Sequence, residues 1–524
     1  MTHSLRHNLV AVLCGVTLAL AFPTYHLFPL AWIALIPLFR VALDATPREA
    51  GTRFFIAGFA FHLVLLQWLM SNVYWAGGWA WWGYVGLCIV LALFWFVTGV
   101  LWRFATLHMR WLPAELTLPI LWAAMEYLQS FAFTGFGWSA IAYSQARDLW
   151  FAQWAAVGGV PLVSAIVIVL NVLLASAWNE KKLRVVRIVA ALLIVFAAHG
   201  MGAATMGVPD YDSRPMKTAL MQADFPLEMK WDPEYAVEMV RNTAEKSRMI
   251  TNENPVDLIV WPEALIMEDI ETPGIIDEVS SLAHDTRAYL FTGAHRMKPN
   301  TEDSMNAAYL IDPEGTIVDY YDKIHLAPFG EYVPLSDYLP EFVGKIVPAI
   351  GNIKHGDAVK VFQTNERKLG PLICFEVIFP WMAERLRHEG ADYLVVVTNL
   401  GWFGASNAIG QELEIARMRA IETRLPLLHC ANTGISGVFD PWGRFSPVDI
   451  YFRDATNAYQ VDVSSNYLTI MSRFGGVLPV AAPAERTASA GPRIVPNIFL
   501  ALATIIGAAA CVLRIYTARS AKAE

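Results

Sequence analysis

Acidic residues are almost missing from the first 207 positions of this chain. Of its 47 aspartates and glutamates, only Asp44, Glu49, Glu115, Glu126, Asp148 and Glu180 fall there. An ordinary soluble domain carries about a quarter charged residues, so this stretch is not the surface of one. Over the whole chain charge is low, at 16% of residues against 55% hydrophobic, and it is unevenly spread. There is no concentrated basic face and the net charge is −8. Together these exclude a nucleic-acid partner, because phosphate binding needs clustered Lys and Arg. Cysteine is rare too: Cys14, Cys88, Cys374, Cys430 and Cys511 are all there are. Three of them, Cys14, Cys88 and Cys511, sit in apolar runs, where a small hydrophobe is the plain reading. Cys374 and Cys430 lack CxxC or Cys/His spacing, so neither a metal site nor a disulfide framework is expected. Internal repeats and low-complexity tracts are absent as well.

What is present is a series of apolar segments long enough to cross about 30 Å of hydrocarbon. They lie at residues 8–22, 26–43, 53–72, 82–107, 113–133, 158–178 and 185–204, with an eighth at 494–514. The first resembles a signal peptide, but further apolar segments follow at once, so it reads as a retained span. Basic residues collect in alternate loops: Arg6, then Arg40, Arg48 and Arg53, then Arg103 and Arg110, then "KKLRVVR" (181–187), and finally Arg514, Arg519 and Lys522. The intervening loops, such as "SNVYWAGGWAW" (71–81), are nearly free of them. The positive-inside rule then places both termini in the cytoplasm and the segment after the seventh span on the opposite face. Glu126 lies inside a span, where an acid is costly and usually faces protein or water; it is expected to line a cavity or to pair with a neighbour such as Arg147.

Three units follow: a membrane domain over 1–207, an extramembrane domain over 208–480, and a linker, last span and tail over 481–524. In the middle unit, residues 217–225, 257–264, 288–295, 370–377 and 392–400 read as short buried strands. Residues 232–250 and 380–390 read as helices, and 306–323 as strand–turn–strand around Asp-Pro-Glu-Gly. The alternation predicts an α/β domain with a central sheet.

Three polar residues stand where strand-like runs end: Glu263 in "IVWPEA", Lys323 in "YYDKIHLAPFGEYVP" and Cys374 in "LICFEV". Taken singly, each has a bland reading as a turn residue, a solvated charge or a packed thiol. Together they suffice for acyl transfer. A thiol attacking a carbonyl needs a base to take its proton and a donor for the charge that develops on oxygen. Lys323 is expected to face a polar site without holding the core together, so Lys323→Met is expected to fold almost normally. A Cys/His arrangement using His325, His388 or His429 stays open on the residues alone.

The motifs "WPEA", "DKIHLAPFGEYVP", "LICFEV" and "TNLGWFG" resemble the nitrilase superfamily of carbon–nitrogen hydrolases. With "EYLQSFAFTGFGW" (126–138), "ARMRAIETRLPLL" (416–428) and "ANTGISG" (431–437), they resemble its membrane-bound branch, the apolipoprotein N-acyltransferases. The resemblance implies a multi-pass helical membrane domain plus an α-β-β-α nitrilase-like sandwich. It implies a Glu263–Lys323–Cys374 triad and no cofactor. It also implies a phospholipid acyl donor and a diacylglyceryl-modified apolipoprotein acceptor at the bilayer. The setting would be the bacterial inner membrane with the catalytic domain on the periplasmic side. Glu331 and Glu376 would shape the site, Trp231 would stand on a loop near the lipid-access route, and Asn399 would contact substrate. The pair His429–Cys430 departs from the expected pattern and adds a second thiol. Two other readings remain open here: a membrane-anchored amidase or nitrilase, and a non-catalytic lipid-binding or transport protein.

The loop charges make a direct topological prediction. A reporter fused after residue 215 should be periplasmic and one fused after Glu524 cytoplasmic; finding both on one side would remove the odd number of spans between them.

Overall fold

The computed structural model describes residues 3–23, 25–72, 79–109, 111–206, 216–298, 301, 303–328, 330–332, 353–447, 455–461 and 502–504. Helices occupy every one of the first seven apolar segments: α1 (His3–Ala19), α2 (Ile36–Leu43), α3 (Pro47–Leu65), α4 (Trp79–His108), α5 (Ala114–Gln129), α6 (Ala155–Asn179) and α7 (Arg184–Thr205). Among the described residues, three stretches are long and apolar enough to cross a membrane, at Ala80–His108, Ala155–Asn179 and Lys181–Thr205. The second segment is not one rod. A 3-10 turn at Phe28–Trp32 precedes α2, and each piece has a proline in its first turn, where the missing N–H is tolerated. The linker at 480–493 lies outside the described residues, as does the eighth span apart from residues 502–504.

Polar contacts show which ends of the helices lie together. At one end, Thr46 and Glu49 form a capping box on α3, Arg103 donates to the Ala45 carbonyl at 2.6 Å, and Arg187 pairs with Glu115 at 3.0 Å. This is the end that carries the loop Arg residues. The opposite end packs on the second half of the chain. Glu126 differs from expectation: its Oε1 accepts from the Trp122 indole at 2.9 Å and from Ile141 N at 3.0 Å. Arg147 instead pairs with Glu414 at 2.7 Å. A local indole and a loop N–H reach the buried acid first.

The second half contains two sheets. One has the order β14-β1-β2-β4-β5-β6, with β3 on β4 and β7 on β5; the other has the order β13-β12-β11-β10-β9-β8. The first comprises β1 (Met216–Gln222), β2 (Leu258–Val260), β3 (Ile266–Asp269), β4 (Tyr289–Met297), β5 (Ser304–Ile311), β6 (Ile317–Asp322), β7 (Ile353–Lys354) and β14 (Ala455–Val461). The second comprises β8 (Phe362–Gln363), β9 (Lys368–Ile373), β10 (Tyr393–Thr398), β11 (Leu427–Ala431), β12 (Gly437–Phe439) and β13 (Phe445–Pro447). Strand side chains alternate between two cores, as period-2 geometry requires. Leu220, Leu258, Val260, Phe291 and Leu310 meet the second sheet, and Phe291 lies 5.6 Å from Phe362. Ala219, Ile259, Leu290 and Ile311 turn the other way, against α8 (Ala236–Glu253) and α9 (Ile275–Thr286). The outer face of the second sheet carries α10 (Pro380–His388) and α11 (Asn407–Thr423). The result is a four-layer α-β-β-α sandwich, as the resemblance implied.

Helix α11 is also the seam with the membrane-type bundle. It buries Glu412, Glu414, Arg417, Arg419 and Glu422, and most of that charge is paired. Arg417 meets Glu414 at 2.6 Å and Arg419 meets Glu422 at 2.8 Å. Helix α6 is kinked at Gly158 and Gly159, ahead of Pro161, and the Val160 N–H beyond the kink donates to Glu422 at 2.9 Å. Gln411 accepts from the Trp68 and Trp138 indoles at 3.0 and 2.7 Å and donates to the Pro23 and Leu65 carbonyls at 3.3 and 3.0 Å.

Replacing Gln411 with Leu would strand two buried indole donors, each lost partner costing about 1–3 kcal/mol. Thermal unfolding in detergent should therefore show a clearly lowered midpoint. An unchanged midpoint would mean that this four-bond joint adds no net stability.

Candidate active site

The three candidate residues come from three chain segments that the two sheets bring together. The chain turns sharply after β2 through Pro262, Glu263 and Ala264, with Ala264 at φ 46°. Gly293 on β4 makes room: a Cβ there would lie 2.6–2.8 Å from Ala264 N, Glu263 Cα and Pro262 O. Any larger residue would push the Glu263 turn off its place. Lys323 directly follows β6, its N–H held by the Asn306 carbonyl at 2.8 Å. Cys374 follows β9 and opens the 3-10 turn Cys374–Ile378 at φ 51°. That left-handed conformation is unfavourable for a residue with a Cβ, and such strain concentrates at functional positions.

The side chains converge. Lys323 is 1% exposed; its ammonium donates to Glu263 Oε1 at 3.2 Å and to Glu331 at 3.0 Å. Asn306 bridges the same two carboxylates, donating at 2.9 Å to Glu263 and 2.8 Å to Glu331, while Ala327 N donates to Glu331 at 2.7 Å. Burial works against the Lys323 charge, but Glu331 and Glu263 outweigh it and hold the ammonium well above its ordinary pKa. Burial pushes the Cys374 thiol well up; Glu263 adds to that and Lys323 opposes it. A thiol so placed is protonated at neutral pH. It becomes a nucleophile when a neighbouring base takes its proton as the bond forms.

Glu376 is fully buried and ties two segments together. Its Oε1 accepts from the Tyr321 hydroxyl at 2.7 Å, Ile324 N at 2.8 Å and His325 N at 3.1 Å. Its Oε2 accepts from Ile373 N at 2.8 Å. Burial raises this carboxyl to about 7, with those donors pulling back. Through these bonds Glu376 fixes the Lys323 segment against the Cys374 turn. Trp231 stands 44% exposed with its ring edge-on to Trp402 at 5.9 Å. Asn399 is buried, and its Oδ1 accepts from Gly401 N at 3.3 Å and Asn432 Nδ2 at 3.2 Å. His429 and Cys430 lie on β11, where a His429 ring nitrogen meets the Ile435 carbonyl at 2.8 Å and the Cys430 thiol donates to the Val260 carbonyl at 3.3 Å. Burial drives Cys430 up to about 12 and His429 down to about 4. Among the described residues, no group of three or more His, Cys, Asp and Glu side chains is placed to hold a metal ion.

Known proteins share this organisation. The family model of the apolipoprotein N-acyltransferase N-terminal domain matches residues 14–173, and the carbon-nitrogen hydrolase model matches residues 217–465. The chain is 33% identical over 492 residues to the apolipoprotein N-acyltransferase of Geobacter metallireducens, covering 91% of this chain and 94% of that one. The chain belongs to the apolipoprotein N-acyltransferase family. The Chlorobaculum tepidum member is 30% identical, covering 83% of this chain and 86% of its own. Among solved structures, Saccharomyces cerevisiae Nit3, of branch 10 of the nitrilase superfamily, aligns over 53% of this chain and 98% of its own. It does so at 18% identity and a TM-score of 0.39.

The family is thus the one the quoted motifs implied. Sequence reasoning missed Asn306, Lys230, Thr398 and Glu412. Lys230 is 2% exposed and donates to the Glu263 carbonyl at 3.2 Å; burial lowers it to about 8. It precedes Trp231, and an ammonium there reads as solvated until the fold closes over it. Asn306, a lone amide in the apolar run "SMNAAYLI", carried the clearest signal, since a buried amide needs partners.

One expectation changes. Lys323 is enclosed between two carboxylates, so Lys323→Met leaves both without their cation, and breaking a buried pair costs about 3–5 kcal/mol. The variant should melt at a lower temperature and recover part of the loss as pH falls, because protonation neutralises the stranded carboxylates. Loss of the donor should also slow acyl transfer on the order of 10²–10³-fold. Normal melting at neutral pH would show that the ion pairs add nothing to the fold.

Proposed function

We propose that this protein transfers an acyl chain from a phospholipid to the N-terminal α-amine of a diacylglyceryl-cysteine apolipoprotein, through a thioester on Cys374. The observation that carries this reading is the contact of Lys323 with both Glu263 and Glu331 beside the strained Cys374 turn. Glu263 takes the thiol proton as sulfur attacks the ester carbonyl. Lys323 stabilises the oxyanion by its charge. The tetrahedral intermediate collapses, the C–O bond breaks, and the lysophospholipid leaves with the proton from Glu263. The apolipoprotein amine then attacks the thioester and gives its proton to Glu263. The C–S bond breaks, an amide forms, and the thiol regains its proton.

Glu331 and Glu376 act as positioning residues, the first on Lys323 and the second between the Lys323 and Cys374 segments. Exposed Trp231 and half-buried Trp402 form the proposed rim over which lipid enters. Asn399 shapes this rim through the 400–403 turn. The reading places the protein in the bacterial inner membrane, with the catalytic domain on the periplasmic side. It is supported by Arg48, Arg103 and Arg187 at the helix ends remote from the sandwich, because basic residues stay cytoplasmic.

Purified protein given phospholipid without acceptor should gain one acyl group on Cys374, seen by intact mass and removed by hydroxylamine. Adding a diacylglyceryl-cysteine peptide should move the chain to its amine. Cys374→Ala should block both steps, whereas Cys430→Ala should block neither. Release of free fatty acid with an unmodified peptide would favour a membrane-anchored amidase instead.

A further inference from the structure

The catalytic cluster has a neighbour that none of the steps above uses. Glu412, next to Gln411 in the second turn of α11, is fully buried. Its Oε1 lies 3.0 Å from the Thr398 hydroxyl, and its Oε2 has no hydrogen-bond partner among the described residues. Thr398 ends β10, where the parallel register sets Val397 against Ile373 and so brings Thr398 beside Cys374, and its hydroxyl favours the ionised thiol. A carboxyl, a hydroxyl and a thiol therefore stand in line. The charged groups facing Glu412 are Glu263 and Lys323, with the Cys374 thiol beyond Thr398. The nearest paired ions on its own helix, Glu414 with Arg417 and Arg419 with Glu422, are engaged with each other.

The Thr398 hydroxyl has one hydrogen, and that hydrogen decides what the line does. If Glu412 holds its proton, it donates to Thr398 Oγ, and the Thr398 hydrogen is free to point at the sulfur. If Glu412 is ionised, the carboxylate takes the Thr398 hydrogen. The sulfur then loses a donor and gains a nearby negative charge.

Building on the acyl-enzyme reading, we propose that Glu412 is a positioning residue for the nucleophile, a carboxylic acid kept protonated so that Thr398 donates to the Cys374 sulfur as it becomes anionic. Burial raises the Glu412 carboxyl to about 8, with Glu263 adding to the rise and Thr398 and Lys323 opposing it. The thiol titrates higher still, so on raising the pH Glu412 ionises first. The site is then favourable below about pH 8 and weakened above it.

The test follows the alkylation of Cys374 by iodoacetamide as a function of pH, by peptide mass spectrometry on the full-length protein in detergent. In the parent, the rise with pH should flatten as Glu412 ionises. Glu412→Gln keeps the shape and stays neutral at every pH. Its ratio of alkylation rates between pH 9.5 and pH 7 should exceed the parent ratio about tenfold, the effect of one adjacent charge on a thiol. Acyl transfer by the parent should fall above about pH 8, and this fall should be missing in Glu412→Gln. Thr398→Val should slow alkylation at pH 7 about tenfold, the loss of a hydrogen bond to a charged group, and Thr398→Ser should restore it. Superimposable pH profiles for parent and Glu412→Gln overturn the proposal. If Glu412→Gln does not fold, an undiminished rate in Thr398→Val overturns it instead. Should acyl-Cys374 never form, the acyl-enzyme reading fails, yet the alkylation profiles still decide the link. Should it form while the profiles coincide, only the link fails.

Discussion

A lysine ammonium held out of water between two carboxylates is the constraint around which the catalytic half is arranged. Removing Lys323 from solvent costs several kcal/mol, and only close opposite charge with well-directed hydrogen bonds offsets it. Glu263 reaches it from the turn after β2, and Glu331 reaches back from the loop that Lys323 itself opens. Asn306, opposite Lys323 on β5, joins the two acids. These contacts demand that β2, β4, β5 and β6 lie in fixed register. Gly293 is where that demand becomes steric, since the Glu263 turn rests against its missing side chain. The same charge that steadies the pocket is the one proposed to meet a developing oxyanion, so in that reading stability and chemistry share one ion.

The second constraint is α11. Its outward residues do not face water: Gln411 links to the helix ends around Pro23, Leu65 and Trp138, Glu414 takes Arg147, and Glu422 takes the N–H freed by the kink in α6. Its inward residue Glu412 reaches Thr398 at the catalytic cluster. One helix therefore sits against the helical bundle on one side and one hydroxyl from the Cys374 segment on the other. His325 adds a shorter link of the same kind, its ring nitrogen meeting the Thr134 carbonyl at 2.5 Å. The catalytic turn cannot shift relative to the bundle without breaking buried polar contacts, each of which is expensive to leave unmade. Such contacts hold the Cys374 turn in a fixed relation to the bundle.

Much of this was legible in the chain because the signals are local. Seven apolar runs became helices, since a long uncharged stretch has few other stable forms. The strands at 217–225, 288–295 and 392–400 followed from short β-branched and aromatic runs, and the 312–316 turn from Asp-Pro-Glu-Gly, with Gly315 at φ 81°. Glu263, Lys323 and Cys374 stood out because polar residues ending apolar strands have no packing reason to be there. β3, the short strands β12 and β13, and helix α9 left weaker traces. The break before α2 was hidden as well, because apolarity measures length in a membrane and not straightness.

The sequence by itself determined the apolar helical runs of the first half and the α/β character of the second, and it singled out the three groups proposed to react. All of these rest on residue type and spacing along the chain. Tertiary structure alone decided which charges are paired. It enclosed Lys323, which reads as a solvated cation, and it gave Glu126 to an indole and a loop N–H while sending Arg147 to Glu414. It buried Glu412 against a hydroxyl 14 residues away and Lys230 against the backbone carbonyl of Glu263, 33 residues away. A side chain's partners depend on which segments meet and how much water the meeting excludes, and neither quantity is written in the local pattern.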